Sequence, residues 1–341
     1  MKKTLSLLLA SVLLLLAFLG CGGNARAGKA VRDGRSRPSS AGHLQVKDGK
    51  LCSESGTPVM LRGVSLNGLI TSESFLNDAL FKELSEDCGV NLFRLSMYTY
   101  GVGVIGYCTK GDKERHKQDV AAGVAYAEDH DMYVLIDWHI LSDGDPNTYV
   151  EEAKQFFSEM AETYCDSDSV LYEICNEPNG VDWQAVKSYA EQVIPVIREK
   201  DPDSVIIVGC PDWSKDLVSV AADPLPYDNV LYALHFYSAS HGQDLRDTAE
   251  RLSQSGLPIF VSEFGVTAAS GDHPRDLESA DLWIDMLERE HISYCMWSFS
   301  KVHEASAAIR FNVPKYSGFE RDDYTETGLW LLDLLAKHDT P

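Results

Sequence analysis

The chain has 341 residues, 44% of them hydrophobic and 10% aromatic, and its 52 acidic and 30 basic side chains give a formal net charge of −22 at pH 7. This composition excludes a disordered or fibrous protein and allows one large α/β domain or two smaller ones. The acidic excess argues against nucleic acid or an anionic membrane surface as a partner, because phosphate binding requires clustered Lys and Arg. A neutral substrate fits this charge better.

The first residues of the chain predict export. Two lysines precede an apolar run that ends in small residues, which is typical of a secretory signal and is short for a transmembrane anchor. We expect residues 1–21 to be a signal peptide with a lipid anchor at Cys21, because the four residues ending there resemble a bacterial lipoprotein cleavage box; residues 25–27 would suit an ordinary signal peptidase instead. Residues 22–42 are predicted to form a flexible tether. The protein is therefore expected to be extracellular, either secreted or tethered to the bacterial cell surface.

Residues 43–341 are predicted to form one catalytic domain in which β-rich runs alternate with amphipathic helices. Eight apolar runs begin at Val59, Asn91, Met132, Val170, Val205, Val230, Pro258 and Ile292. Nearly continuous apolar strands between helices indicate a parallel sheet covered on both faces. Eight units favour a closed (β/α)8 TIM barrel over an open sheet, and no GxGxxG follows the first run. Residues 43–52, with a turn at residues 47–49, are expected to form a short hairpin that caps the bottom of the barrel.

The cysteines give no sign of a metal site. Apart from Cys21, seven remain, so at least one has no partner within the chain, and none of them has metal-site spacing. Cys175, Cys210 and Cys295 lie in or at the end of apolar runs and are expected to be small buried hydrophobes.

Polar and aromatic side chains lie where the apolar runs stop, and the active site of a TIM barrel lies at this end of its strands. Glu177 follows the fourth run and Glu263 lies near the end of the seventh, so the two would face each other across the barrel mouth. Such a pair suits glycoside hydrolysis, in which one carboxyl group protonates the leaving oxygen and the other attacks or activates water. Nearby Trp and Tyr side chains could stack on pyranose rings.

The motifs LYEICNEPNG, VLIDWHILSDGDPN, YALHFYSASHGQ, IFVSEFG and MWSFSKVHEASAA resemble those of glycoside hydrolase family 5, and most of all its bacterial endo-β-1,4-glucanases (cellulases). The similarity extends over residues 44–330. It implies a retaining mechanism with Glu177 as acid/base and Glu263 as nucleophile, without metal or cofactor. It also implies a β-glucan polysaccharide as the substrate, and the protein is expected to be a monomer. The substrate-binding positions that it implies are Arg94, Tyr98, His139, Asn176, His235, Tyr237, Trp297, Asn67, Ser270 and Glu304.

Some loop positions depart from the family pattern. Asn67 stands where a His is usual, Thr71 where an aromatic residue is usual, and Val302 where a Lys is usual, with Lys301 beside it. The resemblance places the first of these loops at the distal glycone sugar, so weaker or shifted binding is expected there.

Other interpretations remain open at this point. The same apparatus could act on mannan, xyloglucan or mixed-linkage glucan. A metal-dependent barrel hydrolase would need an early His-x-His pair, which the sequence lacks, and a catalytically silent binding protein would have little reason to keep both glutamates. Trp138, Trp183 and Trp283 are expected to pack in the core, whereas Trp213 could be core or a sugar platform.

Overall fold

The computed structural model describes residues 35–101 and 105–337, and its central feature is a closed barrel of eight parallel strands. A two-stranded antiparallel sheet, β1 (Gln45–Lys47) and β2 (Lys50–Cys52), precedes it. The barrel strands β3 to β10 are Arg62–Ser65, Leu92–Tyr98, Tyr133–His139, Val170–Glu173, Ile206–Val208, Val230–Tyr237, Ile259–Gly265 and Tyr294–Trp297. Each pairs with the next, and β10 pairs with β3. Each predicted apolar run overlaps one barrel strand, so the TIM-barrel prediction is confirmed.

Helices surround the barrel on its outer side. The helices α1 to α10 are Pro38–Ala41, Asp78–Lys82, Lys113–Asp129, Val150–Tyr164, Trp183–Lys200, Pro211–Ser214, Leu217–Ala222, Gln243–Gln254, Leu277–Arg289 and Glu326–Lys337. The described residues also form three short 3-10 segments, Glu73–Phe75, Pro146–Tyr149 and Arg321–Asp323, and a π-helical turn, Glu83–Asp87. Within the described parts of the chain, no helix combines the length and apolarity needed to cross a bilayer.

Aspartates set the beginning of several of these helices. Asp112, Asp182 and Asp276 precede α3, α5 and α9, and each side chain accepts a hydrogen bond from a backbone N–H in the first turn. Such a cap satisfies an N–H that has no partner within the helix.

The hairpin closes the bottom of the barrel, as predicted. Its turn residues Asp48 and Gly49 have φ values of 50° and 74°, the left-handed conformation that a two-residue hairpin turn requires. Leu44 and Leu51, in and beside the hairpin, pack against inward-facing residues of the barrel strands. These inward-facing residues are Leu61, Leu92, Tyr133, Leu135, Leu171, Ile207, Leu231, Ala233, Phe260 and Cys295. The lower half of the barrel is thus an apolar core, which leaves the upper half for polar chemistry.

Several predictions about packing are confirmed. Trp138, Trp183 and Trp283 are buried, and so are Cys175, Cys210 and Cys295. Burial strongly raises the pKa of the Cys175 and Cys295 thiols, so both stay protonated as small core side chains.

Packed structure begins before residue 43, the predicted start of the domain. Arg37 is fully buried, and its guanidinium donates hydrogen bonds to Ser85 Oγ at 2.9 Å and to the carbonyl of Val90 at 3.2 Å. The short helix α1 follows it directly. The segment has no apolar periodicity, and it is held by hydrogen bonds from an arginine, a contact that composition does not reveal. The predicted signal peptide and Cys21 lie outside the described residues.

Candidate active site

Arg94 lies at the centre of the polar upper half of the barrel. It points inward from β4 and is fully buried. Its Nε donates to Glu173 Oε2 at 2.8 Å and its Nη1 to Glu263 Oε2 at 2.9 Å. Its Nη2 donates to Asn176 Oδ1 at 2.6 Å and lies 3.0 Å from Asp137 Oδ2. Burial opposes the positive charge, but these carboxylates raise the pKa of Arg94 well above its usual value. One guanidinium fork thus orients four side chains from three strand ends.

Glu263, on β9, is held as a carboxylate by two donors. Its Oε1 accepts a hydrogen bond from the Tyr237 hydroxyl at 2.7 Å, and its Oε2 accepts one from Arg94. Burial would raise the pKa of Glu263, but the charges of His235 and Arg94 and the Tyr237 hydrogen bond lower it below its ordinary value. Burial and the charge of Glu263 raise the pKa of Tyr237, which therefore stays protonated and able to donate. An ionised, oriented carboxylate at this position can act as a nucleophile.

Glu177 lies just beyond β6, where the strand turns away from the barrel. The backbone N–H of Ile174 still donates to Ile207 in the adjacent strand, and that of Glu177 donates to Ile140. The side chain of Glu177 reaches the open mouth, and its Oε1 lies 3.0 Å from His235 Nδ1. One carboxylate oxygen of Glu177, one of Glu263 and a ring nitrogen of His235 all lie within 4.8 Å of one another. The two predicted catalytic groups therefore meet at one end of the barrel.

This cluster does not suit a metal ion. The Nε2 of His235 is hydrogen-bonded to Ser262 Oγ at 2.9 Å, and its Nδ1 faces Glu177, so both ring nitrogens are engaged. Burial opposes a charged ring, but the nearby carboxylates of Glu173, Glu177 and Glu263 raise the pKa of His235 to about 9. A protonated imidazole has no lone pair to offer a metal.

His139 forms one wall of the mouth together with two aromatic rings. Its Nδ1 lies 2.6 Å from Asp137 Oδ2, which leaves Nε2 facing the cavity and 3.5 Å from Asn176 Nδ2. The ring of Trp297 is parallel to it within 10°, at a centroid separation of 5.3 Å, and the ring of Tyr98 meets it edge-on at 4.3 Å. A flat aromatic surface of this kind can bind the apolar face of a sugar ring.

Two cavities adjoin at the barrel mouth and share Glu177, Tyr237 and Ala269. The first, of about 220 Å³, is lined by Asn67, Tyr98, His139, Leu141, Glu177, Tyr237, Glu263, Ala269, Ser270, Gly271, Trp297 and Glu304. The second, of about 310 Å³, is lined by Glu177, Trp213, Lys215, His235, Tyr237, His241 and Ala269. Of the twelve residues predicted from the sequence, ten line one or both cavities, while Arg94 and Asn176 lie beneath them. The geometry therefore brings all twelve to one site.

Trp213 projects into the second cavity and does not belong to the core. Its side chain is 46% exposed, and Lys215 Nζ lies 5.5 Å from its ring. Asp212, Trp213 and Ser214 have φ values of 58°, 54° and 55°, a left-handed conformation that is unfavourable for bulky residues. Ser214 Oγ supports the turn by donating to the carbonyl of Asn176 at 2.6 Å. Trp213 is thus an exposed residue of the cavity wall, and its use as a sugar platform stays a prediction.

Lys301 points away from the first cavity. Its Nζ donates to the carbonyl of Val313 at 3.0 Å and lies 3.6 Å from the centre of the Tyr316 ring. Glu304 and Asn67 line this cavity, whereas Lys301 does not line it within the described part of the chain. The loop that contains Asn67 is closed on itself by a hydrogen bond from Thr71 Oγ1 to the Asn67 carbonyl at 2.9 Å.

Sequence reasoning missed two polar residues below the site, Glu173 and Ser262. Glu173 lies within the apolar run of β6, and Ser262 directly precedes Glu263. A signal for Glu173 was present, because Leu171 faces inward and side chains two residues apart along a strand share a face. An acid at that inward position needs a partner inside the barrel.

The chain is similar to known cellulases in both sequence and fold. The family model for cellulases, glycosyl hydrolase family 5, matches residues 52–302. The chain is 41% identical over 300 residues to endoglucanase A of Butyrivibrio fibrisolvens, covering 87% of this chain and 69% of that protein. It is 40% identical over 341 residues to an endoglucanase of Clostridium saccharobutylicum, covering 99% of this chain and 73% of that protein. The crystal structure of the catalytic domain of Thermobifida fusca endoglucanase Cel5A superposes with a TM-score of 0.84 at 36% identity, covering 88% of this chain and 100% of that one. A variant of that domain was solved in complex with cellotetraose, and it superposes with a TM-score of 0.81 at 36% identity over 88% of this chain and all of that one.

Proposed function

The chain belongs to glycosyl hydrolase family 5, and from this we propose that it is an endo-β-1,4-glucanase that retains the anomeric configuration. In this proposal Glu177 is the acid/base and Glu263 is the nucleophile. The observation that carries the proposal is the approach of a Glu177 oxygen to within 4.8 Å of a Glu263 oxygen. Inverting glycosidases keep their carboxyl groups roughly 6.5–9.5 Å apart to admit a water molecule, whereas retaining ones hold them at about 5–5.5 Å. The short separation supports direct attack by Glu263.

The proposed reaction has two steps. In the first, a Glu263 oxygen attacks the anomeric carbon, the glycosidic C–O bond breaks, and Glu177 gives its proton to the leaving oxygen. In the second, the Glu177 carboxylate takes a proton from water, the water oxygen attacks the anomeric carbon, and the ester bond to Glu263 breaks. The second step restores both carboxyl groups, so the only reactants consumed are the glycoside and one water molecule.

The hydrogen bonds around Asn176 support a role in the transition state. Arg94 holds its Oδ1, and its Nδ2 donates to the carbonyl of Ile140 at 2.9 Å. Within residues 35–101 and 105–337, the second N–H has only a long contact, 3.5 Å, to His139 Nε2. It is available for the 2-hydroxyl of the reacting sugar, a contact that strengthens as charge develops at the anomeric carbon.

The paired cavities support cleavage within a chain. Sugar units on either side of the scissile bond would occupy the two cavities, with Tyr98 and Trp297 beside one unit and Trp213 beside the other. The cellotetraose complex of the Thermobifida fusca variant supports a β-glucan substrate. Mannan, xyloglucan and mixed-linkage glucan are the alternative substrates for the same mechanism.

The mechanism is tested by following the anomer of the first product by NMR. A β-linked oligosaccharide should yield the β-anomer before mutarotation, and E263Q should abolish turnover while glucan binding persists. An α-anomer as first product would overturn the retaining mechanism. Carboxymethyl-cellulose, mixed-linkage glucan, xyloglucan and mannan are assayed side by side, and cleavage of mannan alone would overturn the substrate assignment. Treatment with a strong chelator should leave activity unchanged.

We also propose that the enzyme is exported and works as a monomer, with a lipid anchor at Cys21 and a tether after it. The layout of the first residues supports export, and the presence of both glutamates and both cavities within one chain supports a monomer. C21A should release activity from the membrane fraction, and light scattering should give the mass of one chain. Activity that stays soluble in the wild type would contradict the anchor.

A further inference from the structure

A line of hydrogen bonds runs beneath the acid/base residue from the barrel interior to the mouth. Ser262 Oγ lies 2.5 Å from Glu173 Oε1 and 2.9 Å from His235 Nε2. His235 Nδ1 then lies 3.0 Å from Glu177 Oε1. Glu173 and Ser262 are fully buried and lie below the cavity walls, so they are not placed to touch a substrate.

The single proton of the serine sets the direction of this line. Burial would raise the pKa of Glu173, but Arg94 and His235 lower it to about 2, so Glu173 is a carboxylate that can only accept. Ser262 must therefore donate to Glu173, and its oxygen accepts the N–H of His235 Nε2. This leaves Nδ1 as the ring nitrogen that faces Glu177. That arrangement holds whether the proton between them is on His235 Nδ1 or on the Glu177 carboxyl group.

We propose that Ser262 and Glu173 are positioning residues for proton transfer: they lock the His235 ring so that its Nδ1 stays on Glu177 and keeps that carboxyl group aimed at the leaving oxygen. This inference rests on the proposed role of Glu177. Without the hydroxyl of Ser262, the one acceptor left near His235 Nε2 among the described residues is the distant Glu173 Oε1, 3.7 Å away. The ring is then free to turn, and the hydrogen bond from Nδ1 to Glu177 is lost for part of the time.

Dependence on the leaving group distinguishes this role from a general structural one. A cello-oligosaccharide has a poor leaving group and needs a proton from Glu177, whereas dinitrophenyl β-cellobioside departs without one. The value of kcat/KM reports the first step of a double displacement, in which that proton is given. A fault in proton transfer therefore lowers kcat/KM for the oligosaccharide alone, while a distorted site lowers it for both.

The experiment compares the wild-type chain with S262A, S262T and the control S293A on both substrates. S262A should lower kcat/KM for cellotetraose about 10- to 100-fold, which corresponds to the loss of one hydrogen bond to a charged group. It should lower kcat/KM for the aryl glycoside by less than about threefold. S262T keeps a hydroxyl and should recover most of the loss. Ser293 is also buried and its Oγ accepts the N–H of Leu61, away from His235, so S293A should leave the ratio of the two values unchanged.

Equal losses on both substrates for S262A, or no loss on cellotetraose, would overturn the proposal. E177A serves as the reference: it should lose cellotetraose hydrolysis and keep the first step on the aryl glycoside. If E177A loses both alike, the proposed function fails; if E177A behaves as expected and S262A does not, only the positioning role fails. Should S262A not fold, the ¹⁵N-histidine NMR spectrum of the wild type decides. The proposal requires a proton on His235 Nε2, and a spectrum that shows this nitrogen without one would overturn it.

Discussion

The Tyr237 hydroxyl donates a 2.7 Å hydrogen bond to Oε1 of Glu263, across adjacent strands β8 and β9. Tyr237 and Arg94 together occupy both oxygens of Glu263, so the proposed nucleophile cannot rotate freely. The two hydrogen bonds fix the orientation of the Glu263 carboxylate in the wall of the first cavity.

Y237F should therefore reduce activity without unfolding the protein. A hydrogen bond to a charged group contributes about 1.5–3 kcal/mol, so we expect kcat/KM on cello-oligosaccharides to fall about 10- to 100-fold. Y189F is the matched control, because the buried hydroxyl of Tyr189 donates to the carbonyl of Ile174 at 2.7 Å and not to Glu177 or Glu263. Equal activity losses in the two variants would contradict an orienting role for Tyr237.

Exchange of Lys301 should have little effect on substrate binding, because its ammonium group is committed to Val313 and Tyr316. We expect K301M to keep KM within about twofold of the wild type and to cost about 0.5–1 kcal/mol of stability through the lost cation–π contact. Glu304 lines the cavity, and E304Q should raise KM about five- to tenfold by weakening a charged acceptor. A rise in KM for K301M as large as that for E304Q would show that Lys301 reaches the sugar.

Acid should destabilise the protein through Glu173. Its pKa in the folded state is about 2, below the ordinary 4.5, because Arg94 and His235 outweigh the effect of burial. A depressed pKa means that the ionised group stabilises the fold; the contribution is fully present above about pH 4.5 and is lost as the pH falls towards 2. The contribution is on the order of 3 kcal/mol.

Urea unfolding at pH 7 and pH 3 measures this loss. The free energy of unfolding should fall more steeply with pH in the wild type than in E173Q, which has no titrating group at that position. E162Q, at an exposed position on α4, should follow the wild type. Parallel pH profiles for the wild type and E173Q would show that Glu173 is not responsible.

Gly209 should tolerate no side chain. A Cβ there would lie 2.2 Å from the carbonyl oxygen of Cys175 and 2.8 Å from that of Asn176, in the segment that leads to Glu177. G209A should cost about 1–3 kcal/mol of stability and also lower activity, because the strain displaces that segment. Gly242 has a negative φ, and no heavy atom of the described residues lies within 4 Å of such a Cβ, so G242A should be neutral in thermal melts and assays. If the two variants melt alike, the strand ends are less tightly packed than described.

Local patterns in the sequence were sufficient to predict the barrel and to locate the residues at its mouth. The apolar runs of β3 to β10 predict strands because side chains alternate along a strand, and Glu177 and Glu263 follow from where two runs stop. The hairpin was equally local, since Asp48 and Gly49 are residues that adopt a left-handed turn readily. The buried arginine at position 37 was not predictable, because its partners lie far away in the sequence.

The sequence by itself determined the order of strands and helices, the family resemblance and the residues at the strand ends, because these depend on near neighbours in the chain. Only the tertiary structure decided that the two glutamates approach within 4.8 Å, that Glu173 and Ser262 underlie His235, and that Lys301 turns towards Tyr316. Those distances join residues from separate strands and loops. They are set by how the barrel closes and how its side chains pack, which no local pattern specifies.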